Sequence, residues 1–195
     1  MYNDRNNNKG EKIMPRGRKK SAMPKEEKSY SSVEEGDVIV KKLCEKYPEI
    51  LWAVDPQSVG VYGCDNQETP ASCNVLAKIR KVNGVLKAVL EKNNIPLKYI
   101  IELYWSDFRE WNIRTKQWVL FHELCHILDP DAKGLRKHNI EDFSLTLDVV
   151  GFGGYKQDNI PDLLAEKPVE FDKAIIAKMM KPVEDKKDDT PTPPE

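Results

Sequence analysis

The chain has 195 residues, room for one domain of ordinary size and two tails. Its 31 Lys and Arg balance 32 Asp and Glu to a formal net charge of −1, which argues against a whole-molecule binder of polyanions. No apolar run reaches the roughly 20 residues that a membrane-spanning helix needs, so no membrane partner is expected.

Residues 1–28 hold nine basic and four acidic side chains among Asn-, Gly- and Pro-containing stretches with few apolar residues. Residues 1–30 therefore read as a disordered basic tail, with the charge to touch a nucleic acid or an acidic partner. No apolar run follows these basic residues, so no secretory signal is expected and the cytoplasm is the expected compartment. The four cysteines, Cys44, Cys64, Cys73 and Cys125, form no C-x-x-C pair. That speaks against a zinc ribbon, and in a reducing compartment they are expected as thiols.

A first helix is expected from a cap at Ser31 or Ser32 to Tyr47, with Val33, Val40, Leu43 and Tyr47 inward; Pro48 ends it. Residues 59–62 read as a short strand and 64–73 as a polar loop. Residues 75–82 alternate imperfectly and favour a strand, with Lys78, Arg80 and Lys81 on its solvated face. A helix over 85–92 stops at Asn93, Asn94 and Pro96. Residues 99–105, β-branched and aromatic, are the clearest strand. Residues 118–128 are apolar almost all round, as in a buried helix, interrupted mainly by His122, Glu123 and His126. Turn residues follow at 129–134, and a second helix spans 137–150 up to Gly151. Residues 161–181 suit an amphipathic helix with Phe171, Ile175, Ile176 and Met179 on one side. The resulting plan is a folded domain over 31–165, a C-terminal helix over 166–181 and a charged, Pro-rich tail over 182–195.

The segment His122-Glu123-Leu124-Cys125-His126 fits H-E-x-x-H inside a predicted helix, the context that motif requires. Residues four apart stand one turn apart on one helical face, so two imidazoles can reach one ion. Glu123 is one step round, placed to meet a water on the metal rather than to ligate it. Zinc brings the pKa of such a water towards neutrality, and the carboxylate can take its proton. A catalytic zinc needs a third protein ligand and an open position. The position six residues after His126 is Ala132, which excludes the version of the motif with a histidine there. Glu141, Glu166 and Glu170 are formal candidates. So is His138, which a turn can fold back towards the motif. All three histidines of the chain fall between 122 and 138. Burying a carboxylate and two imidazoles without a metal is costly, which favours a metal site over a histidine-bearing core. Glu141 or Asp142 can accept the remaining ring N–H of a ligand histidine. Cys125 is expected in the core. The aromatics Tyr104, Trp105, Phe108, Trp111 and Trp118 read as core packing rather than as the lining of a cleft.

Leu76-Ala-Lys-Ile-Arg-Lys-Val82, Tyr99-Ile-Ile-Glu-Leu103, Phe121-His-Glu-Leu-Cys-His-Ile127 and His138-Asn-Ile-Glu-Asp-Phe143 follow one another in this order. Together they resemble the phage metallopeptidase family, over about residues 33–152. The H-E-L-x-H segment is common to many zincins; its combination with the His138 segment is more specific. Asn139 stands where that family commonly has Asp, and His138 is the matched ligand. A looser similarity to SprT-like zincins lacks their trailing zinc ribbon.

The resemblance implies an α+β, minimal zincin-like domain. A small mixed β-sheet would pack on the H-E-x-x-H helix and on a following helix that carries the third ligand. The strand before the motif helix (Tyr99, Ile100, Ile101, Glu102, Leu103) would edge the cleft and pair with an extended polypeptide substrate. The implied activity is zinc-dependent peptide-bond hydrolysis by a metal-activated water, with His122, His126 and His138 on Zn2+ and Glu123 as general base, in a bacterial host cytoplasm. The alternative expectation is a non-catalytic zinc-containing module that binds protein or nucleic acid, since no oxyanion donor is evident beyond Tyr155 or Arg136.

Overall fold

The computed structural model describes residues 28–64, 76–127, 134–138, 143–151 and 160–179, apart from the side chains of Trp105 and Ser106. The elements run β1 (Tyr30–Ser32), α1 (Glu34–Lys46), β2 (Val59–Cys64), β3 (Ala77–Lys81), α2 (Gly84–Lys92) and β4 (Tyr99–Tyr104). Then follow α3 (Trp105–Glu110), α4 (Ile113–Cys125), α5 (Ser144–Val150) and α6 (Lys173–Met179). The expected α+β class holds. No helix among the described residues is long and apolar enough to cross a membrane.

The four strands form one mixed sheet in the order β1-β2-β4-β3, with β2 parallel to β4 and the two flanking strands antiparallel to their neighbours. The register aligns Val61, Ile101 and Ile79 across one face, with Gly63, Leu103 and Ala77 beside them. That face is buried against α1 and α4, which also pack on each other. Strand geometry sends alternate side chains to opposite faces, so Lys78 and Arg80 emerge on the far side, as their spacing predicts.

One strand takes a different place from the one expected. The strand 99–103 is not the sheet's edge: β4 is paired on both sides, by β2 and by β3. Its backbone is therefore not open to strand addition. The reason is compositional as well as topological. The strand with the greatest apolar content is sheltered inside the sheet, while β3, with Lys78, Arg80 and Lys81, takes one of its two edges, where charged residues discourage unwanted pairing.

The start of α1 also differs. Ser31 and Ser32 lie in β1, and the helix cap is Val33, which makes no side-chain capping bond. Asp37, in the first turn, accepts the N–H of Val61 at 3.0 Å and ties the helix to β2. Burial holds its carboxyl above the usual carboxylate range. The approach is close enough that a Cβ on Gly36 would meet Val61 Cγ1 at 2.6 Å. The predicted inward residues Val33, Val40, Leu43 and Tyr47 are all buried.

Helix α4 starts at Asn112, whose side chain accepts the N–H of Thr115 at 2.9 Å. Its aromatic residues build the core. Trp118 and Phe121 pack with Tyr47 and Phe171, with ring centroids between 5.3 and 6.1 Å apart. The C-terminal segment is held to this core by polar contacts. Trp118 Nε1 donates to the Pro161 carbonyl at 2.8 Å, and the Leu163 N–H donates to Gln117 Oε1 at 3.0 Å. The Tyr47 hydroxyl donates to the Leu163 carbonyl at 2.8 Å and accepts the Val169 N–H at 3.1 Å. These bonds satisfy an irregular stretch where a helix from 161 is expected, and α6 begins only at Lys173. The helix expected over 137–150 is likewise shorter: α5 begins at Ser144 and stops at Gly151, whose φ of 71° suits glycine. Residues 134–138 are irregular.

Candidate metal centre

His122 and His126 close the last turn of α4, His126 being its C-cap residue. Their rings lie 5.3 Å apart, centroid to centroid, as one helical turn requires. His138 reaches them from outside. It lies in the irregular segment before α5 rather than within the helix expected to carry it. Its ring centroid is 4.9 Å from that of His122 and 4.8 Å from that of His126, and its Nε2 is 3.0 Å from His122 Nε2. One ligand nitrogen from each histidine lies within 4.8 Å of the others.

Two features hold the histidines in place. His126 Nδ1 is 2.5 Å from the carbonyl oxygen of Arg136, and the Arg136 N–H donates to the His126 carbonyl at 2.9 Å. This reciprocal pair brings residue 138 towards the helix end. A carbonyl can only accept, so Nδ1 carries the proton and the lone pair of His126 is left on Nε2, the side of a metal. Below the three rings sits Phe143, almost fully buried, at 5.2, 4.8 and 5.0 Å from the centroids of His122, His126 and His138. It forms an apolar floor that limits where the imidazoles can go. Phe143 is itself the N-cap residue of α5, and its carbonyl accepts both the N–H and the hydroxyl of Thr146.

Glu123 is only 6% exposed, and its Oε2 is 4.0 Å from His126 Nε2. A carboxylate this deep gains from a cation nearby. A tetrahedral zinc bound at about 2.0–2.1 Å spaces its nitrogen donors roughly 3.3 Å apart, close to the 3.0 Å between His138 Nε2 and His122 Nε2, and all three donors lie within 4.8 Å of one another. The donor set is three imidazoles among the described residues, where a closed structural site has four protein ligands. The three imidazoles thus fit a divalent metal.

The other sequence candidates fall elsewhere. Glu166 and Glu170 are exposed and take no part in the cluster. Cys125 is wholly buried in the core, as expected. Phe108 and Trp118 are fully buried and Tyr104 nearly so, which makes these aromatics packing residues; Trp111 leans on Phe108 at 5.6 Å. Glu141, Asp142, Ala132 and Tyr155 lie outside the described residues, as do the loop beyond Cys64 and the turn at 129–133. The ring N–H acceptor expected from a carboxylate is, for His126, the Arg136 carbonyl. A backbone acceptor leaves no signature in residue type. Phe143 was legible only as a member of the His138 segment.

Fold and site together define a small α+β protein with three histidines, gathered at the end of its central helix, that could hold a metal ion. The family described as "Putative phage metallopeptidase" matches residues 28–166, and the chain belongs to it. That membership implies a metal and polypeptide substrates. No curated protein and no solved structure is significantly similar to the chain.

Proposed function

We propose that the protein is a zinc-dependent peptidase in which His122, His126 and His138 hold the ion and Glu123 is the general base. The observation that carries this reading is the convergence of three ring nitrogens within 4.8 Å beside a buried Glu123. A bound zinc supplies Lewis acidity and brings the pKa of a water towards neutrality. Glu123 would take a proton from the water that attacks the amide carbonyl and would deliver it to the nitrogen of the C–N bond that breaks. The Arg136 carbonyl keeps His126 in the tautomer that presents Nε2. Phe143 keeps water from the rear of the cluster. Arg136, joined to His126 through the backbone, is the candidate oxyanion donor.

The substrate strand, in this reading, is bound by β3 rather than by 99–103. Among the described residues β3 is one of the two edge strands, and it packs against α4, so a polypeptide added to it runs beside the helix that bears the site. Main-chain hydrogen bonds to the open edge would hold the substrate extended.

The test uses untagged protein and its Glu123→Gln variant. Both should hold about one zinc per chain by mass spectrometry. The variant should lose hydrolysis of an unfolded protein such as casein by about 100-fold or more, the usual scale for removal of a general base. Hydrolysis at the wild-type rate in Glu123→Gln would sink the mechanism. A wild-type protein that takes up no metal after reconstitution with zinc would sink the whole reading.

A further inference from the structure

The far face of the sheet carries a group of charges that the metal centre does not use. On β3, exposed Lys78 and Arg80 alternate with buried Ala77 and Ile79, and they lie opposite Glu102 and Ile100 of β4. Together with Lys28 they ring a shallow depression on that face. Among the described residues the acid lining it is Glu102, which is already engaged. The Tyr30 hydroxyl donates to its Oε1 at 2.5 Å, and Arg80 Nε lies 2.7 Å from its Oε2 as an ion pair rather than an aligned hydrogen bond. Arg80 nevertheless keeps 62% of its side chain exposed. The open flank of β3 is therefore bordered by cations whose nearest acid is already shared.

We propose, on the reading that a polypeptide adds to β3, that the protein prefers substrates with acidic side chains facing Lys78 and Arg80. A strand laid beside β3 continues its alternation. Every second substrate residue then lies on the face of Lys78 and Arg80, while the residues between point towards the α4 side. The pattern selected is two acidic residues separated by one of any type. Opposite charges directly across neighbouring strands attract modestly, so each acid should improve binding by about two- to fivefold over its neutral amide. A phosphate backbone would meet the same cations. The two-residue spacing along an open strand edge favours a peptide.

The experiment compares three fluorescent peptides that differ only in carrying Glu-x-Glu, Gln-x-Gln or Lys-x-Lys. Binding is read by anisotropy on the zinc-loaded Glu123→Gln protein, and cleavage on the wild type. The Glu peptide should bind about two- to fivefold more tightly per acid than the Gln peptide, with the gain in KM rather than kcat. Lys78→Glu, at an exposed position where folding is not at stake, should abolish or reverse the gain; Arg80→Gln should weaken it. Equal binding and cleavage of the Glu and Gln peptides would overturn this inference and leave the peptidase reading standing. An acid preference in binding without any cleavage by the wild type would uphold the inference and overturn the peptidase reading. A single-stranded oligonucleotide that binds more tightly than the Glu peptide, and is lost in Lys78→Glu, would reassign the surface to nucleic acid.

Discussion

Helices α4 and α2 both carry a run of apolar residues, yet they have opposite fates. Nine of the thirteen residues of α4 are buried, and none of the nine residues of α2 is. Val85 is 82% exposed, and Leu86 and Val89 are about half exposed. The difference lies in what each helix spans. α4 covers the inner face of the sheet and packs against α1 and β3, so from Gln117 to Cys125 all its residues but His122 are buried. α2 joins β3 to β4, which are already neighbours, and has only to turn the chain round. Apolar content offers a face for burial; position in the fold decides whether anything covers it. The contrast suits the candidate site, because the helix that carries two imidazoles one turn apart is the one packed into the core.

Four substitutions probe this contrast. Phe121→Ala removes a ring stacked on Phe171 beside Trp118 and should cost about 3–5 kcal/mol in urea unfolding. A cost below about 1 kcal/mol would mean that the α4 core is not tightly packed. The helix caps give a smaller difference. Asn112→Ala deletes the bond to Thr115 N–H and should cost about 1 kcal/mol, whereas Asn83 makes no such bond and its replacement by Ala should cost a few tenths at most. Equal losses at the two caps would break the comparison. The smallest effect belongs to Val85→Lys, which should leave stability within about 0.5 kcal/mol. A large loss there would show that α2 is covered in solution.

Much of the site was legible because it is local. The pitch of one helix brings His122 and His126 to one face and sets Glu123 beside them, and residue order is enough to say so. His138 could be named as a candidate because histidines are so few, but the route by which it arrives was misread. A helix starting at Lys137 was expected, and an irregular segment pinned by Arg136 was found. The clamp uses backbone atoms, which every residue type possesses, so no choice of side chain announced it.

The sheet divides in the same way. Alternation in β3 correctly assigned Lys78 and Arg80 to solvent, and the β-branched run correctly marked β4 as a strand. Which of the two would be the edge was not determined by either pattern. The first property follows from the pleat, with its period of two, and is written in consecutive residues. The second depends on which strands pair across long stretches of chain, and only the packed sheet, with β2 and β3 on either side of β4, decided it. The residue sequence thus determined the pair of imidazoles and the carboxylate, because helical pitch is a local constant. The third imidazole, its clamp and the open strand beside the site came from tertiary structure, because they depend on long-range burial and backbone pairing.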